Sequence, residues 1–424
     1  MTDLPPPRGL RVLDIERCVV RIPFAERCRP WTEAMVGQWA VVEVLRLTTN
    51  SPGIVGYGET LPHYTWRPVS DAAIAAVRGG NPADFLGRDD VGAGLQMALY
   101  DAVGQALEVP VRRLFGLPQV RDRLPLAWWS TEMPAEILAG EAADAVAAGY
   151  LNHKFKARPW LDVYEQVAAV SAVTPPYYAL DLDWNEMLLD AGTAAPVLGA
   201  LDREERVSIF ETPIRFGDLE GYRRLRDKVS HPIADHIKQT PFSAAVRAEA
   251  FDGYVLEGGV TDAIRGGLLA HAFGKPHWLQ LVGAGLTTAL ALQLGAVLPG
   301  ATWPSVTCLN IYADDLVLEP IRVHSGYADI PSGPGLGVQV DESALTRLAM
   351  RPPYVIDYPA RILTVGWPGG RACHYSSIEA LWADALAGNI PAAARGARLE
   401  VWSDDGSAEF GALRKQVDAG PVRA

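Results

Sequence analysis

The sequence predicts an α/β fold whose centre is a (β/α)8 barrel of the TIM type. Three observations indicate it: eight short β-rich runs recur over residues 124–311, helical patterns lie between them, and polar residues end most of the runs. Alternating strands and helices over about two hundred residues are typical of such a barrel. An open doubly wound sheet is the alternative, but no GxGxxG motif follows an early strand.

The predicted strands and helices alternate in chain order. The strands are LPLAWWS (124–130), NHKFKA (152–157), YYALDLD (177–183), VSIFE (207–211), HPIAD (231–235), FDGYVLE (251–257), PHWLQL (276–281) and SVTCLNI (305–311). The helices between them are LDVYEQVAAVSAV, NEMLLDAGTAAPVLGAL, LEGYRRLRDKV, TPFSAAVRAEA, TDAIRGGLLAHAFG and GLTTALALQLGAVL.

Composition limits the classes of partner and location. A chain of 424 residues is too long for one ordinary core. A net charge of −12 disfavours nucleic acid and anionic membranes as partners. The four cysteines show no CxxC spacing, and no apolar signal segment is visible at the start, so we expect a cytoplasmic protein without structural zinc.

One uncharged stretch, residues 276–313, is long enough to span a bilayer. Gly, Gln, Thr and Pro interrupt it, and no basic cluster flanks it. A buried strand, a buried helix and a second strand explain this stretch better than a membrane helix.

Charged and polar residues end the predicted strands. Active sites of these barrels lie at the C-terminal ends of the strands, so we expect these residues to surround one mouth. Lys154 and Lys156 share one face of their strand, and His153 and Phe155 point towards the helices. The strand-end residues are Lys154, Lys156, Asp183, Glu211, Asp235, Glu257 and Gln280.

These residue types indicate proton-transfer chemistry. Carboxylates that converge from successive strands need protons or a cation, and an all-oxygen set suits Mg²⁺. A neighbouring cation lowers the pKa of a lysine, and a neutral amine beside a Lewis acid can remove a proton next to a carboxylate. The alternative is a structural network of ion pairs.

The motifs, taken in order, resemble the enolase superfamily in its mandelate racemase and muconate lactonizing branch. The resemblance covers nearly the whole chain. It implies an α+β capping domain with a linking helix at 1–123, a catalytic barrel at 124–342 and an extension at 343–424. The motifs are VGYGET (55–60), GLQMALYDAVGQALEVPVRRLFG (94–116), KFK, DLDWN, FETP and PGLGVQVD (334–341).

The resemblance also implies roles for individual residues. It places Mg²⁺ on Asp183, Glu211 and Asp235. Lys156 is then the base on one face of the substrate, and Lys154 lies nearer the substrate carboxylate. In a regular strand His236 faces away from the mouth, and a bulge would turn it inward.

The last predicted strands depart from the family pattern. Gln280 stands where racemase-like members carry a histidine, and glutamine cannot act as a base. Glu257 stands where muconate lactonizing members carry a lysine. The candidates for a catalytic acid are therefore Glu257, His236 and metal-polarised water.

Further candidates are predicted to bind the substrate. Asn185 follows the first predicted metal ligand, Gln280 lines the mouth, and Arg158 is expected either to bind a carboxylate or to be solvated. The segments 23–31 and 60–66 match the family's specificity loops. Their polar and aromatic residues are Arg27, Arg29, Trp31, His63, Tyr64 and Trp66.

The chain continues for about eighty residues beyond PGLGVQVDE, where relatives commonly stop. RILTVGWPGGRACHYSS predicts a hairpin, IEALWADALAGN an amphipathic helix, and ARLEVWSDDGS a strand and turn. We expect this extension to pack on the capping domain or on a neighbouring subunit.

The leading functional hypothesis is Mg²⁺-dependent α-proton abstraction from a hydroxy-carboxylate. The reaction predicted within that class is dehydration of a sugar acid to a 2-keto-3-deoxy acid by a hydro-lyase. Racemisation or epimerisation, cycloisomerisation, a catalytically silent carboxylate-binding barrel and a Schiff-base aldolase on Lys156 are the alternatives. The expected partners are a small carboxylate and, from the resemblance, further copies of this chain.

Overall fold

The computed structural model describes residues 9–64 and 67–424. The N-terminal part has a three-stranded antiparallel sheet in the order β1-β2-β3, packed against helices. Its elements are β1 (Val12–Arg21), α1 (Arg29–Val36), β2 (Val41–Thr49), β3 (Val55–Thr60), α2 (Asp71–Val77) and α3 (Ala93–Ala106).

Helix α3 lies directly on this sheet, and two glycines allow the close approach. A Cβ atom on Gly56 would lie 2.1 Å from the carbonyl oxygen of Ala98, and one on Gly58 would lie 2.1 Å from that of Gly94. The predicted linking helix is shorter than expected, because α3 ends at Ala106 and a short 3-10 turn follows at Val111–Phe115.

The barrel is built from seven parallel strands, and two bridges close its ring. Strand β4 (Arg123–Pro125) precedes it. The bridges join Ser305 to Leu126 and Val306 to Gln280. The barrel strands are β5 (Trp128–Ser130), β6 (Asn152–Lys156), β7 (Ala179–Asp183), β8 (Val207–Glu211), β9 (Ile233–His236), β10 (Gly253–Leu256) and β11 (His277–Leu279).

The eighth predicted strand, SVTCLNI, is reduced to those two bridges. Cys308 has φ +61°, in the left-handed region, which no extended strand can include. The α/β barrel prediction is confirmed, and the prediction of a full eighth strand is wrong.

Helices surround the barrel strands. Asp162, Asp190 and Asp218 cap α5, α6 and α7 by accepting hydrogen bonds from backbone N–H groups, as aspartates at helix N-termini commonly do. The helices are α4 (Ala135–Ala147), α5 (Val163–Val173), α6 (Ala191–Leu201), α7 (Leu219–Arg226), α8 (Phe242–Arg247), α9 (Val260–Ala272) and α10 (Gly285–Gly295).

The structure differs from the sequence prediction at the start of α6 and agrees with it for the uncharged stretch 276–313. Helix α6 begins later than predicted, because Asn185, Glu186 and Leu189 have positive φ angles and keep the preceding segment a loop. The uncharged stretch 276–313 contains β11, the fully buried α10 and the closing bridges. In the part of the chain that the structure describes, no helix is long and apolar enough to cross a membrane.

The chain after the barrel forms two small sheets. Strand β12 (Val323–His324) pairs with β13 (Tyr327–Asp329), which pairs with β4, and α11 (Glu342–Leu348) follows. The extension then forms a four-stranded sheet in the order β16-β14-β15-β17 with two helices. Its elements are β14 (Arg361–Trp367), β15 (Arg371–Tyr375), α12 (Ile378–Leu386), β16 (Arg398–Ser403), α13 (Ala408–Val417) and β17 (Val422–Arg423).

The extension has its own apolar core, which it shares with two other parts of the molecule. Leu363 and Leu381 cluster with Met35 of α1 and with Trp160 and Met187, which lie in the loops after β6 and β7. The extension therefore covers one side of the barrel mouth as well as the first helix of the N-terminal part.

Candidate active site

Strand register brings the polar ends of β6, β7 and β8 to one level. Lys156 pairs with Asp183, and Asp183 pairs with Glu211. Paired residues of parallel strands point to the same side, so these side chains all enter the barrel mouth. Asp183 and Glu211 are completely buried there.

Lys154 lies at the bottom of the mouth and is 1% exposed. Its Nζ is 2.5 Å from Glu211 Oε2 and 3.4 Å from Asp183 Oδ2, and it donates to Gln280 Oε1 at 2.5 Å. The Trp278 ring lies below it, with its centroid 5.3 Å from Nζ. Burial lowers the pKa of Lys154, but Glu211 and Asp183 outweigh burial and raise it. The expectation of a lowered pKa is therefore wrong for this lysine in this structure.

Lys156 lies nearer the opening, and its side chain is 16% exposed. Its Nζ donates to Asp183 Oδ2 at 2.5 Å and to Asn185 Oδ1 at 2.9 Å. Burial alone would raise the pKa of Asp183, but Lys156, Lys154 and Arg158 hold it below its usual range. Asp183 is thus a permanent anion beside the predicted base.

The fifth strand differs from the expectation. Ala234, not Asp235, pairs with Glu211, so Ala234 and His236 face the mouth and Asp235 faces the helices. Asp235 Oδ1 accepts hydrogen bonds from Thr212 Oγ1 at 3.0 Å and from the His236 N–H at 2.8 Å. Burial raises the pKa of Asp235 to about 7.

His236 occupies the inward position that was expected for Asp235. Its Nε2 is 3.2 Å from Glu211 Oε1, and its Nδ1 is 3.1 Å from Glu257 Oε2. Burial lowers the pKa of His236, but the two carboxylates outweigh it and raise the pKa to about 10. Burial raises the pKa of Glu257, but His236 outweighs it and the pKa is lowered. Of the two orientations considered for His236, the structure shows the inward one.

The predicted set of three carboxylates does not fit Mg²⁺. Asp235 points away from Asp183 and Glu211, and its Oδ2 is buried with no hydrogen-bond partner among the described residues. Within residues 9–64 and 67–424, no group of three His, Cys, Asp or Glu side chains is arranged to hold a metal ion. Asp183 and Glu211 are the two carboxylates that the structure brings together at the position expected for the ion.

Arg158 is neither solvated nor free to bind a carboxylate, because its partners already surround it. Its Nε donates to Glu132 Oε1 at 2.8 Å, and its other nitrogens donate to the Asp183 carbonyl oxygen and to Asn185 Oδ1. The Trp382 ring of the extension covers it, with the guanidinium carbon 4.7 Å from the ring centroid. Asn185 is thereby held between Arg158 and Lys156.

Two residues at the mouth, Glu132 and Trp382, were not predicted from the sequence. Glu132 comes two residues after β5, so the rule that strand ends carry the site would have found it. Trp382 carries no such signal, because its position over Arg158 depends on how the extension packs.

The predicted specificity residues of the N-terminal part are only partly gathered at the mouth. Burial, Cys308 and Glu257 raise the pKa of the Tyr64 phenol, and a hydrogen bond with Gln280 opposes them, which places Tyr64 at the mouth. Trp31 packs between the barrel core and the core of the extension. His63 is exposed and its Nε2 is 2.7 Å from the Tyr354 carbonyl oxygen.

Two further candidates from those loops, Arg29 and Arg27, lie away from the mouth. Arg29 is exposed at the start of α1. Arg27 pairs with Glu141 at 3.0 Å, on the barrel helix α4, and lies over the Trp128 ring. Trp66 is outside the described residues.

Comparison with known proteins agrees with this architecture. A family profile described as enolase C-terminal domain-like matches residues 138–344, which begin in α4 and include the mouth residues. The barrel region of this chain belongs to the enolase superfamily. Its relatives place it in the mandelate racemase and muconate lactonizing branch, as the ordered motifs indicated.

Curated relatives of this superfamily member are named for different reactions. D-gluconate dehydratase of Thermoproteus tenax is 25% identical over 74% of this chain and 71% of the relative. Muconate cycloisomerase 1 of Rhodococcus opacus is 26% identical over 79% of this chain and 98% of the relative. N-succinylamino acid racemase of Thermus thermophilus is 29% identical over 63% of this chain and 73% of the relative.

A solved structure shows the same fold. The 2-chloromuconate cycloisomerase from Rhodococcus opacus 1CP superposes with a TM-score of 0.66 at 23% identity, over 80% of this chain and 99% of that one. Members of this superfamily generally use Mg²⁺.

Proposed function

We propose that this protein removes the α-proton of a small hydroxy-carboxylate and that Lys156 is the base. The observation that carries the proposal is the position of Lys156: it points into the mouth, its side chain is 16% exposed, and Asn185 and Asp183 fix its Nζ. In its neutral form this amine accepts the proton, since a positioned base needs only to reach the substrate within hydrogen-bond distance.

Lys154 provides positive charge beside the substrate carboxylate, where negative charge develops as the α-proton leaves. Its ammonium is buried between Asp183 and Glu211, and their carboxylates keep it protonated. A buried, preorganised cation stabilises an enolate oxygen more strongly than the same cation in water. We therefore place the substrate carboxylate above Lys154 and the α-carbon beside Lys156.

Within that class we propose dehydration of a sugar acid. The proton lost from the α-carbon is followed by loss of the hydroxyl group on the next carbon, which leaves as water and gives a 2-keto-3-deoxy acid. Glu257 and His236, on the opposite side of the mouth from Lys156, are the candidates to protonate the leaving hydroxyl. Relatives named D-gluconate dehydratase and D-galactonate dehydratase support this reaction.

Gln280 argues against a two-base racemase or epimerase. It lies at the mouth, where it accepts a hydrogen bond from Lys154, and an amide cannot take up a proton from the second face of a substrate. A racemase or epimerase would therefore have to use Glu257 or His236 on the second face. Cycloisomerisation is the second candidate function, because the Rhodococcus opacus muconate cycloisomerase aligns over 98% of its own length.

The test is incubation of the protein with a library of sugar acids and muconate-type acids in D₂O, with and without added divalent metal. Mass spectrometry and a keto-acid assay detect the products. We expect loss of water from one sugar acid, and we expect Lys156→Ala to lower turnover by about 10²–10⁴-fold.

Lys228→Ala is the matched control, because Lys228 is an exposed lysine far from the strand ends and its loss should leave turnover unchanged. Deuterium uptake without loss of water would replace dehydration by epimerisation. Silence across the library with retained ligand binding would favour the carboxylate-binding barrel. Borohydride trapping of a substrate on Lys156 would favour a Schiff-base aldolase.

A further inference from the structure

The helices on the two sides of the barrel mouth begin in different ways. Helices α5, α6 and α7, which follow β6, β7 and β8, are each capped by the side chain of their own N-cap aspartate. The N-cap residues of α9 and α10, which follow β10 and β11, are Gly259 and Ala284, and neither residue type carries a side-chain acceptor. The first N–H groups of these two helices therefore need acceptors from elsewhere in the molecule.

The N-terminal part of the chain supplies those acceptors to α9. Asp89, which begins a short 3-10 turn, accepts a hydrogen bond from the Thr261 N–H on Oδ1 at 3.0 Å. Its Oδ2 accepts from the Asp262 N–H at 2.8 Å. Gln96 of α3 accepts from the Val260 N–H at 2.9 Å and donates to Asp89 Oδ1 at 2.6 Å. Three consecutive N–H groups at the start of α9 are thus bound by side chains from outside the barrel.

Two glycines between Glu257 and α9 make this contact possible and give it a purpose. A Cβ atom on Gly259 would lie 2.4 Å from Asp89 Cγ, so glycine is needed for the carboxylate to come this close. Gly258 has φ +114°, a conformation that residues with a side chain rarely adopt. Glycine is also the residue with the greatest backbone freedom. A pair of glycines beside Glu257 therefore needs an anchor if the Glu257 carboxylate is to stay in one place.

The start of α10 is held in the same way, by a different residue of the N-terminal part. Glu59, near the end of β3 and 1% exposed, accepts a hydrogen bond from the Thr287 N–H in the first turn of α10 at 2.8 Å. A Cβ atom on Gly283 would lie 2.9 Å from Glu59 Oε1, so a glycine again leaves room for the carboxylate. The repetition at two neighbouring helices indicates that capping of barrel helices is how the N-terminal part docks on this side of the mouth.

We propose that Asp89 is a positioning residue for Glu257: it holds the first turn of α9 and thereby fixes the Glu257 carboxylate at the barrel mouth. An anion at a helix N-terminus is also stabilised by the helix dipole, which strengthens the anchor. Asp89 acts through α9 and takes no part in the chemistry itself. The inference rests on the proposed function in one respect, the role of Glu257 as a group that protonates the leaving hydroxyl.

The first measurement needs no substrate: it is hydrogen–deuterium exchange of the full-length protein, resolved to single amides. Asp89→Ala should raise the exchange rate of the amides in the segment 257–262 by about tenfold, the size expected when a helix loses its N-cap. Asp89→Asn should raise the exchange of Asp262 alone, because Gln96 donates to Oδ1 and keeps that oxygen directed at Thr261. If Asp89→Ala does not fold, Asp89→Asn carries the test.

Two control variants separate this anchor from a general loss of stability. Asp90→Ala is matched in sequence, because Asp90 is exposed and pairs with Arg88 at 2.6 Å. Ser407→Ala is matched in kind, because Ser407 caps α13 in the extension by accepting from the Phe410 N–H at 3.0 Å. Both controls should leave the exchange of the segment 257–262 as it is in the wild type.

The second measurement is steady-state kinetics with the acid that the wild type converts. Asp89→Ala should lower kcat by about tenfold and change KM by less than about twofold, because it displaces a group used in the reaction rather than one that binds the substrate. Ser407→Ala should keep both constants. The inference is overturned if Asp89→Ala leaves the exchange of the segment 257–262 unchanged, or if that exchange rises while kcat stays at the wild-type value. An inactive wild type whose exchange still rises in Asp89→Ala would refute the proposed function and support Asp89 as the anchor of the Glu257 segment.

Discussion

The two halves of the barrel mouth differ in how closely they follow the pattern of the superfamily. In the half built by β6, β7 and β8, the last residue of each strand (Lys156, Asp183 and Glu211) enters the mouth. In the half built by β9, β10 and β11, the fifth strand presents His236 in place of Asp235, and a glutamine follows β11. The first half could serve many α-proton abstractions, whereas the second half differs from the motifs that the family resemblance implies.

The register of β9 differs from the expected one by one residue, and this difference explains why His236 and not Asp235 faces the mouth. Side chains alternate along a strand, so pairing Ala234 with Glu211 turns the whole fifth strand by one position. The carboxylate expected to bind metal then contacts Thr212 on the helix side, and the histidine expected outside enters the mouth. A small change in pairing thus alters the chemistry of the site without altering the fold.

The largest effect that tests this difference comes from making the same substitution in each half. Asp183→Asn should abolish detectable turnover and destabilise the fold by about 3–5 kcal/mol, because it removes the buried anion that balances Lys154 and Lys156. Asp235→Asn should change turnover less than about threefold, because its side chain keeps an oxygen to accept from Thr212. Steady-state kinetics and urea unfolding measure both.

Equal losses of turnover in Asp183→Asn and Asp235→Asn would contradict the difference between the two halves of the mouth. That outcome would mean that Asp235 reaches the mouth in the working enzyme, and the distinction drawn from the register would then fail.

The fold and the first half of the mouth could be predicted from the sequence because their signals are local. Side chains alternate between the two faces of a strand, so Lys154 and Lys156 share a face. The repeated order of strand and helix along the chain indicates the barrel. The orientation of Asp235 and His236 could not be predicted, because it depends on pairing with β8 that a single strand does not encode. The cover over Arg158 depends on tertiary packing of the extension.

A smaller effect should come from the extension, which contacts the first half of the mouth. Trp382 covers Arg158, and Arg158 and Lys156 both donate to Asn185 Oδ1. Trp382→Ala should therefore lower turnover by about tenfold and stability by about 2–3 kcal/mol, less than the loss of a fully buried tryptophan. Kinetics at saturating substrate and thermal unfolding measure the two changes.

Trp402→Ala is the control for that variant. Trp402 packs on Phe410 within the extension, 5.2 Å between ring centroids, away from Arg158. It should lose stability but keep the turnover of the folded protein. If both tryptophan variants lose turnover alike, the extension acts only through general stability.

The smallest effect concerns the outer face of β6, where His153 alternates with the two lysines. Burial lowers the pKa of His153 to about 3, below its ordinary value of 6.5, and its Nε2 lies 2.9 Å from Ser130 Oγ. The unfolded chain takes up a proton on His153 below about pH 6.5 and the folded chain does not, so stability is lost as the pH falls from 6.5 towards 3.

Between pH 7 and pH 5 the free energy of unfolding of the wild type should fall by about 2 kcal/mol more than that of His153→Gln. Urea unfolding at both pH values measures this, with the exposed His271→Gln as the control. Because His153 shares its strand with Lys154 but not its face, a change in stability without a change in turnover would show that alternation along β6 separates folding from chemistry.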